Sequence, residues 1–352
     1  MKADATAVDL FCGVGGLTHG LETAGIPVAV GVDRDDECEH AYEANNEARF
    51  EQADVADLDA EQVSEWLDDG TVSVLAGCAP CQPFSNLNNA EDSSERDDWG
   101  LVRDFGNLVE EVEPGIVVME NVSELRNKPV YSDFVNTLWR AGYDVSFSVV
   151  ECPDYGIPQD RKRIVVLASK YGPIELKGPT HSPSNYPTVR DAIGNGVVPE
   201  IDAGGVDEND PLHRSRTLEE QNIERIRQSK PGGTWRDWDP EIRLDCHTKE
   251  SGQSFGSVYG RMQWDTTAPT ITTQYYNYGS GRFGHPEQDR AISLREGAIL
   301  QTFPPDYEFV EDEEDIHYQT VGRFVGNAVP VRLAEVVGET IVEHVENYNV
   351  AA

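Results

Sequence analysis

Positive charge is what this sequence has least of. Its 352 residues carry 28 Lys and Arg against 64 Asp and Glu, a formal charge of −36 at pH 7, and only seven of the 28 cations are Lys. A protein that grips a polyanion ordinarily presents a basic face, because neutralising phosphates is its main source of affinity. On composition alone, nucleic acid is disfavoured. A very saline cytoplasm gives the same composition another meaning. There the Debye length shrinks to about 3 Å or less, self-repulsion is screened, and carboxylates keep the surface soluble. Scarce Lys with abundant carboxylate is the pattern expected of a halophile. The rival is an acidic protein that binds no polyanion.

Long apolar runs are also missing. None approaches the ~18 residues needed to span a bilayer, so no membrane partner is expected. Met1-Lys2-Ala3-Asp4 leads straight into an apolar strand, which leaves no room for a signal peptide. The six cysteines, at 12, 38, 78, 81, 152 and 246, are scattered and do not form a disulfide framework. A reducing cytoplasm is the expected location. Cys78-x-x-Cys81 has no second C-x-x-C to complete a zinc site, so no metal is expected.

The length suits one large and one smaller domain. Over 1–170, apolar strand-like runs alternate with helical stretches. Ala7–Leu10, Val28–Val32, Val72–Leu75, Ile116–Met119, Val145–Val150 and Ile164–Leu167 read as buried strands, with helices at Leu17–Thr23 and through Tyr42. This β-α-β rhythm predicts an α/β fold, a Rossmann-like, doubly wound, mostly parallel sheet with ligands at the C-terminal strand ends. Beyond Gly172 the rhythm stops, and Pro, Gly, Asn and Ser crowd 173–211, as in a smaller loop-rich domain. Within it, 211–243 holds seven bases and six acids, the least unfavourable place for a polyanion. Glu311 to Asp315 is a five-acid run that reads as a solvated loop, and Val331–Val345 as an amphipathic helix.

Asp9-Leu10-Phe11-Cys12-Gly13-Val14-Gly15-Gly16 is a strand entering a glycine turn and a helix, where a ligand can approach the backbone closely. Asp33, 20 residues past Gly13, ends the second strand, where an acid usually holds ribose hydroxyls. Thr18 stands where a dinucleotide fingerprint needs its third Gly, which disfavours nicotinamide chemistry. Gly77-Cys78-Ala79-Pro80-Cys81-Gln82-Pro83-Phe84-Ser85 follows a buried strand, which places Cys81 at the ligand edge of the sheet.

At this point the chain resembles the DNA (cytosine-5) methyltransferase family, of bacterial or archaeal type, over nearly its full length. Pro80-Cys81-Gln82 is similar to the family's nucleophile motif and Glu120-Asn121-Val122 to its catalytic Glu-Asn-Val. Gln159-x-Arg161-x-Arg163 resembles its Gln-x-Arg-x-Arg element, and Phe11-x-Gly13-x-Gly15-Gly16 its cofactor loop. Arg295-Glu296 through Leu300-Gln301-x-Phe303-Pro304 resembles the support of its recognition domain. Gly326-Asn327-Ala328-Val329-Pro330 resembles its last motif. The six stand in the family's order.

The resemblance implies a catalytic, S-adenosylmethionine-binding domain over 1–174 and a target-recognition domain over 175–265. The stretch 266–352 would support the latter and return to the catalytic domain. It implies Cys81, Glu120, Arg161 and Arg163 as catalytic residues. S-adenosyl-L-methionine would be held by Phe11, Gly13, Gly15, Gly16, Asp33, Asp54, Pro80, Asn327 and Val329. Asp54 also suits an ordinary helix cap. Asp33 stands where the family more often has Glu. The implied reaction is methylation of C5 of a cytosine flipped out of double-stranded DNA, by a monomer, with a cognate restriction endonuclease as a further partner. The polar stretch 86–98, with five acids and one base, would be a mobile lid over the extruded base. Two rivals are a tRNA cytosine-5 methyltransferase and a DNA-binding regulator without catalysis. Tyr259-Gly260-Arg261 to Thr270-Ile271-Thr272 favours DNA, and the intact Cys81, Glu120 and Arg163 speak against the regulator.

Overall fold

A computed structural model describes residues 4–67, 70–80, 100–249, 252, 254 and 256–351. Cys81 and the 86–98 stretch lie outside the described residues. Two units divide the chain, one made of 1–151, 162–179 and 329–352, the other of 152–161 and 180–328.

The strands are β1 (Ala5–Leu10), β2 (Val28–Asp33), β3 (Arg49–Gln52), β4 (Val72–Gly77), β5 (Ile116–Val122), β6 (Asp144–Glu151), β7 (Gln159–Asp160), β8 (Lys162–Ser169) and β9 (Ala268–Pro269). All but β7 and β9 join a seven-stranded sheet in the order β3-β2-β1-β4-β5-β8-β6. Neighbours run parallel except β8, which is antiparallel to both β5 and β6. Every residue of β1 is buried, as is β5 up to Asn121. Such unbroken burial belongs to strands covered on both faces, and it explains why these segments read as continuous apolar runs. The fold class expected from the sequence is therefore the one observed.

Helices α1 (Gly16–Thr23), α2 (Glu39–Asn45), α3 (Ala60–Leu67), α4 (Gly100–Val112) and α5 (Pro129–Arg140) flank the strands. On α4, Val102, Phe105, Gly106, Leu108 and Val109 are buried at i, i+3, i+4 spacing and join a core with Leu10, Leu75, Met119 and Phe134. The C-terminal helix, Val331–Ala351, packs on α1. A Cβ on Gly20 would lie 2.4 Å from Ala334 Cβ, so the approach of these two helices requires glycine. The chain order reverses between β1 and β4, the point at which open α/β sheets bind ligands.

The second unit is loop-rich, with short helices α6 (Val189–Ile193), α7 (Glu220–Gln228), α8 (Asp245–Thr248), α9 (Leu294–Leu300) and α10 (Tyr318–Asn327). Ile226, Trp235, Trp238, Tyr278 and Ala291 form one of its buried clusters. A fully buried ion pair stabilises α9. Arg290 donates to both oxygens of Glu296, at 2.7 and 2.8 Å, and Glu296 completes a capping box with Ser293. Burial alone would raise the Glu296 pKa, but the guanidinium outweighs it and holds the carboxyl at about 2. Arg295 binds Asp210 and the Tyr307 carbonyl. Among the described residues no helix is long and apolar enough to cross a membrane, and no cluster of three metal-ligating side chains occurs.

Candidate active site

The loop between β1 and α1 alternates in handedness. Phe11, Gly13 and Gly15 have φ of 59, 51 and 88°. Glycine takes that conformation freely, whereas Phe11 pays about 1–2 kcal/mol for it, a strain that clusters at functional sites. Two contacts fix the loop. Asp33 Oδ2 accepts from Gly13 N–H at 2.9 Å, and Cys12 N–H donates to the Val32 carbonyl. Asp33 Oδ1 accepts from Asp35 N–H, so both oxygens of the predicted ribose ligand already hold backbone. The first turn of α1 has no acidic residue and its Gly15 N-cap offers no side-chain hydrogen bond, while the Thr18 backbone N–H is bonded to the Asp9 carboxyl beneath the loop. Among the described residues no atom lies within 4 Å of where a Gly13 Cβ would stand. Asp54 caps the turn at Val55–Asp57 through Ala56 N–H, using Oδ1.

Beneath the loop lies a buried chain of polar groups. Thr18 Oγ1 donates to Asp9 Oδ2 at 2.8 Å and lies 2.8 Å from Tyr42 Oη. Asp9 is fully buried, and its Oδ1 has no hydrogen-bond partner. Burial, reinforced by the nearby Asp33, pushes its pKa up to about 7 against the Thr18 hydrogen bond.

The second focus is the end of β5. Glu120 is 2 % exposed. Its Oε2 accepts from Cys78 Sγ at 3.0 Å, and Arg163 Nε, from the start of β8, stands 3.0 Å from Oε1. The Arg163 N–H is not aimed along that line, so Oε1 is electrostatically matched but accepts no hydrogen bond. Asn121 Nδ2 donates to the Ala79 carbonyl at 3.0 Å, and Cys78 N–H to the Leu10 carbonyl at 3.3 Å. The backbone leading into Pro80 and Cys81 is thus held at two consecutive residues. Sequence reasoning did not find the roles of Cys78 and Asn121. Asn121 was in view within Glu120-Asn121-Val122, but Cys78 showed only as a second thiol.

The structure brings together Glu120 and Arg163, and separately Phe11, Gly13 and Asp33, all in the first unit. Arg161 is engaged elsewhere. It is 3 % exposed, and its guanidinium donates to the carbonyls of Ile271, Gly326 and Ala328, the last two flanking Asn327. That arrangement makes Arg161 a clamp on the Gly326-Asn327-Ala328 turn. Asn327 is exposed and Val329 buried. Cys12 and Cys38 are buried, which raises their thiol pKa values and removes them as nucleophiles. The bases of 211–243 are largely spent inside the second unit. Arg214 pairs with Glu313, Arg225 binds the Ile242 carbonyl, Arg227 pairs with Asp289, and Arg243 binds the Trp238 carbonyl.

A mostly parallel seven-stranded sheet with one antiparallel strand, a left-handed glycine loop at its switch point and a buried carboxyl two strands away define a Rossmann-like α/β fold. A putative DNA modification methyltransferase from an E. coli prophage shares the fold at a TM-score of 0.73 and 22% identity, covering 97% of this chain and 99% of that one. The S. pombe Dnmt2 methyltransferase shares it at 0.62 and 18%, covering 98% and 99%. The C-5 cytosine-specific DNA methylase profile matches residues 5–343, and the chain belongs to that family of DNA (cytosine-5) methyltransferases. Type II methylase M.HgiDII of Herpetosiphon aurantiacus is 49% identical over 96% of this chain and 95% of its own length. Type II methyltransferase M1.HphI of Haemophilus parahaemolyticus is 29% identical over 96% and 87%.

Proposed function

We propose that the chain methylates C5 of cytosine within a specific sequence of double-stranded DNA, with S-adenosylmethionine as donor and Cys81 as nucleophile. The observation that carries this reading is the buried Glu120 carboxyl, braced by Cys78 and Arg163 with one oxygen free of hydrogen bonds, at the ligand end of the sheet.

Cytosine C5 is too weak a nucleophile to take up a methyl group unaided. The Cys81 thiolate forms a bond to C6 while protonated Glu120 gives its proton to N3, and the displaced electron pair makes C5 enamine-like. Arg163 holds the base at O2 and favours the thiolate. S-adenosylmethionine supplies the electrophilic methyl group. Loss of the C5 proton to a base then re-forms the C5–C6 double bond, expels the Cys81 thiolate and returns the N3 proton to Glu120. C5 lies inside a duplex, so the target must leave the stack, as substrates of DNA methyltransferases do.

The positive end of α1, with no acid in its first turn, and the absence of any described atom over Gly13 suit the donor's carboxylate and backbone-hugging approach. Phe11, Gly15, Gly16, Asp33, Asp54, Pro80, Asn327 and Val329 complete its holding set. Residues 175–265 select the sequence. The protein acts as a monomer in a saline, reducing cytoplasm, and its relatives' type II names support a cognate restriction endonuclease as partner. The test is methyl transfer from labelled donor to duplex DNA or to tRNA. Label recovered as 5-methylcytosine in duplex DNA is expected. Label on tRNA alone selects the RNA enzyme, and none on either selects the regulator.

A further inference from the structure

We propose that Cys78 is a positioning residue for Glu120, setting which carboxyl oxygen faces the target base and how firmly it keeps its proton. The inference rests on the methyltransferase reading above. Its basis is the bonding of one carboxyl group. Cys78 Sγ takes Oε2 at 3.0 Å, Arg163 Nε lies 3.0 Å from Oε1, and Oε1 has no hydrogen-bond partner among the described residues. The thiol therefore locks the side-chain rotamer from one side and leaves Oε1, a buried oxygen, as the one without a hydrogen-bond partner among the described residues. Cys78 is itself fixed, since its N–H is bonded to the Leu10 carbonyl at the end of β1. It can thus transmit the position of the sheet to the carboxyl.

The choice of sulfur has a chemical consequence. A thiol is a weak donor. It holds the carboxyl in place by a contact weaker than a hydroxyl's. A hydroxyl at the same place would stabilise the ionised form more strongly and make the acid harder to keep. The charged and titratable groups bonded or paired to Glu120 among the described residues are Cys78, from beyond β4, and Arg163, from β8. Since Arg163 is unchanged by substitution at 78, the two variants Cys78→Ser and Cys78→Ala report the thiol contribution alone.

The test measures kcat/KM for methylation of duplex DNA across pH 5–9 in wild type, Cys78→Ser, Cys78→Ala and Glu120→Gln, with melting temperatures recorded for each. The alkaline limb reports loss of the essential acid's proton. In Cys78→Ser the limb should move to lower pH. In Cys78→Ala, which has no donor, it should move to higher pH, with a lower maximum because the rotamer is no longer held. A hydrogen bond to a charged group corresponds to a displacement of about one pH unit. Glu120→Gln should lack that limb. Limbs that coincide with wild type in both folded variants, or that move in the same direction, overturn the positioning role while wild-type methylation leaves the function intact. A wild-type protein that methylates no DNA overturns both.

Discussion

Asp9→Asn should change how stability depends on pH more than it changes stability itself. The wild-type carboxyl is fully buried, and its pKa is pushed from 3.8 to about 7, chiefly by burial. Below pH 3.8 both the folded and unfolded chains carry the proton, and Asp9 contributes no pH dependence. Between 3.8 and about 7 the unfolded chain releases the proton while the folded one keeps it, so rising pH drains stability. Above about 7 the loss is complete. A displacement of 7 − 3.8 at 1.36 kcal/mol per unit corresponds to about 4 kcal/mol. Asn cannot titrate but keeps an oxygen for Thr18 Oγ1, which donates at 2.8 Å in the wild type. Its amide protons lack acceptors at the place of Oδ1, a constant cost of about 1–3 kcal/mol. Urea unfolding at half-unit steps from pH 4.5 to 8 separates the two terms, because only the carboxyl term varies with pH. The variant should start less stable than wild type and gain on it steadily up to about pH 7, by about 3 kcal/mol over this window. Parallel curves over the whole range would refute the buried neutral acid.

Arg161→Met should strip three carbonyls of their donor and cost about 2–4 kcal/mol in thermal or urea unfolding. If the clamp also orders Asn327, donor affinity measured by calorimetry should fall with it, and unchanged affinity in a destabilised variant would confine Arg161 to a structural role. Arg290→Met should leave Glu296 buried and uncompensated, at a cost of about 3–5 kcal/mol. The 36 uncompensated negative charges should make folding and activity depend on molar salt. Full activity with an unchanged melting temperature at ~0.1 M salt, where the Debye length is about 10 Å, would sink the halophile reading.

The central strands were legible because they are buried on both faces and announce themselves as apolar runs. Strand β6, expected as a buried strand over Val145–Val150, is an edge strand in which only Val150 is buried and Phe147 and Val149 are exposed. Strand β3 was not legible, since Arg49-Phe50-Glu51-Gln52 is a short edge strand in which only Phe50 is buried, and pairing with β2 places it. The glycine loop and Glu120 were readable as motifs at strand ends. The partner of Glu120 was not, because the contact between Cys78 and Glu120 spans 42 residues and exists only once β4 and β5 lie side by side. Charge counting over 211–243 does not reveal how these cations are paired, for a related reason. Arginine is counted as free cation in a sequence, but its planar fork serves equally well to cap buried carbonyls and pair with acids inside a loop-rich unit. Arg161 and Arg163 differ in the same way. Alternate residues of one motif bind carbonyls in the second unit and a carboxyl in the first, which spacing alone does not reveal.

The central claim is covalent catalysis by Cys81, and a duplex carrying 5-fluorocytosine at the target position tests it most directly. Once Cys81 has added to C6 and C5 has taken the methyl group, the substituent at C5 must leave. A proton departs readily, whereas fluorine cannot leave as a cation, so elimination stalls. The account predicts a donor-dependent protein–DNA adduct that survives denaturation, a crosslinked peptide containing Cys81 by mass spectrometry, and no adduct with Cys81→Ser. Full methylation of the ordinary duplex with no adduct on the fluorinated one, or an adduct mapped to another cysteine, would contradict it.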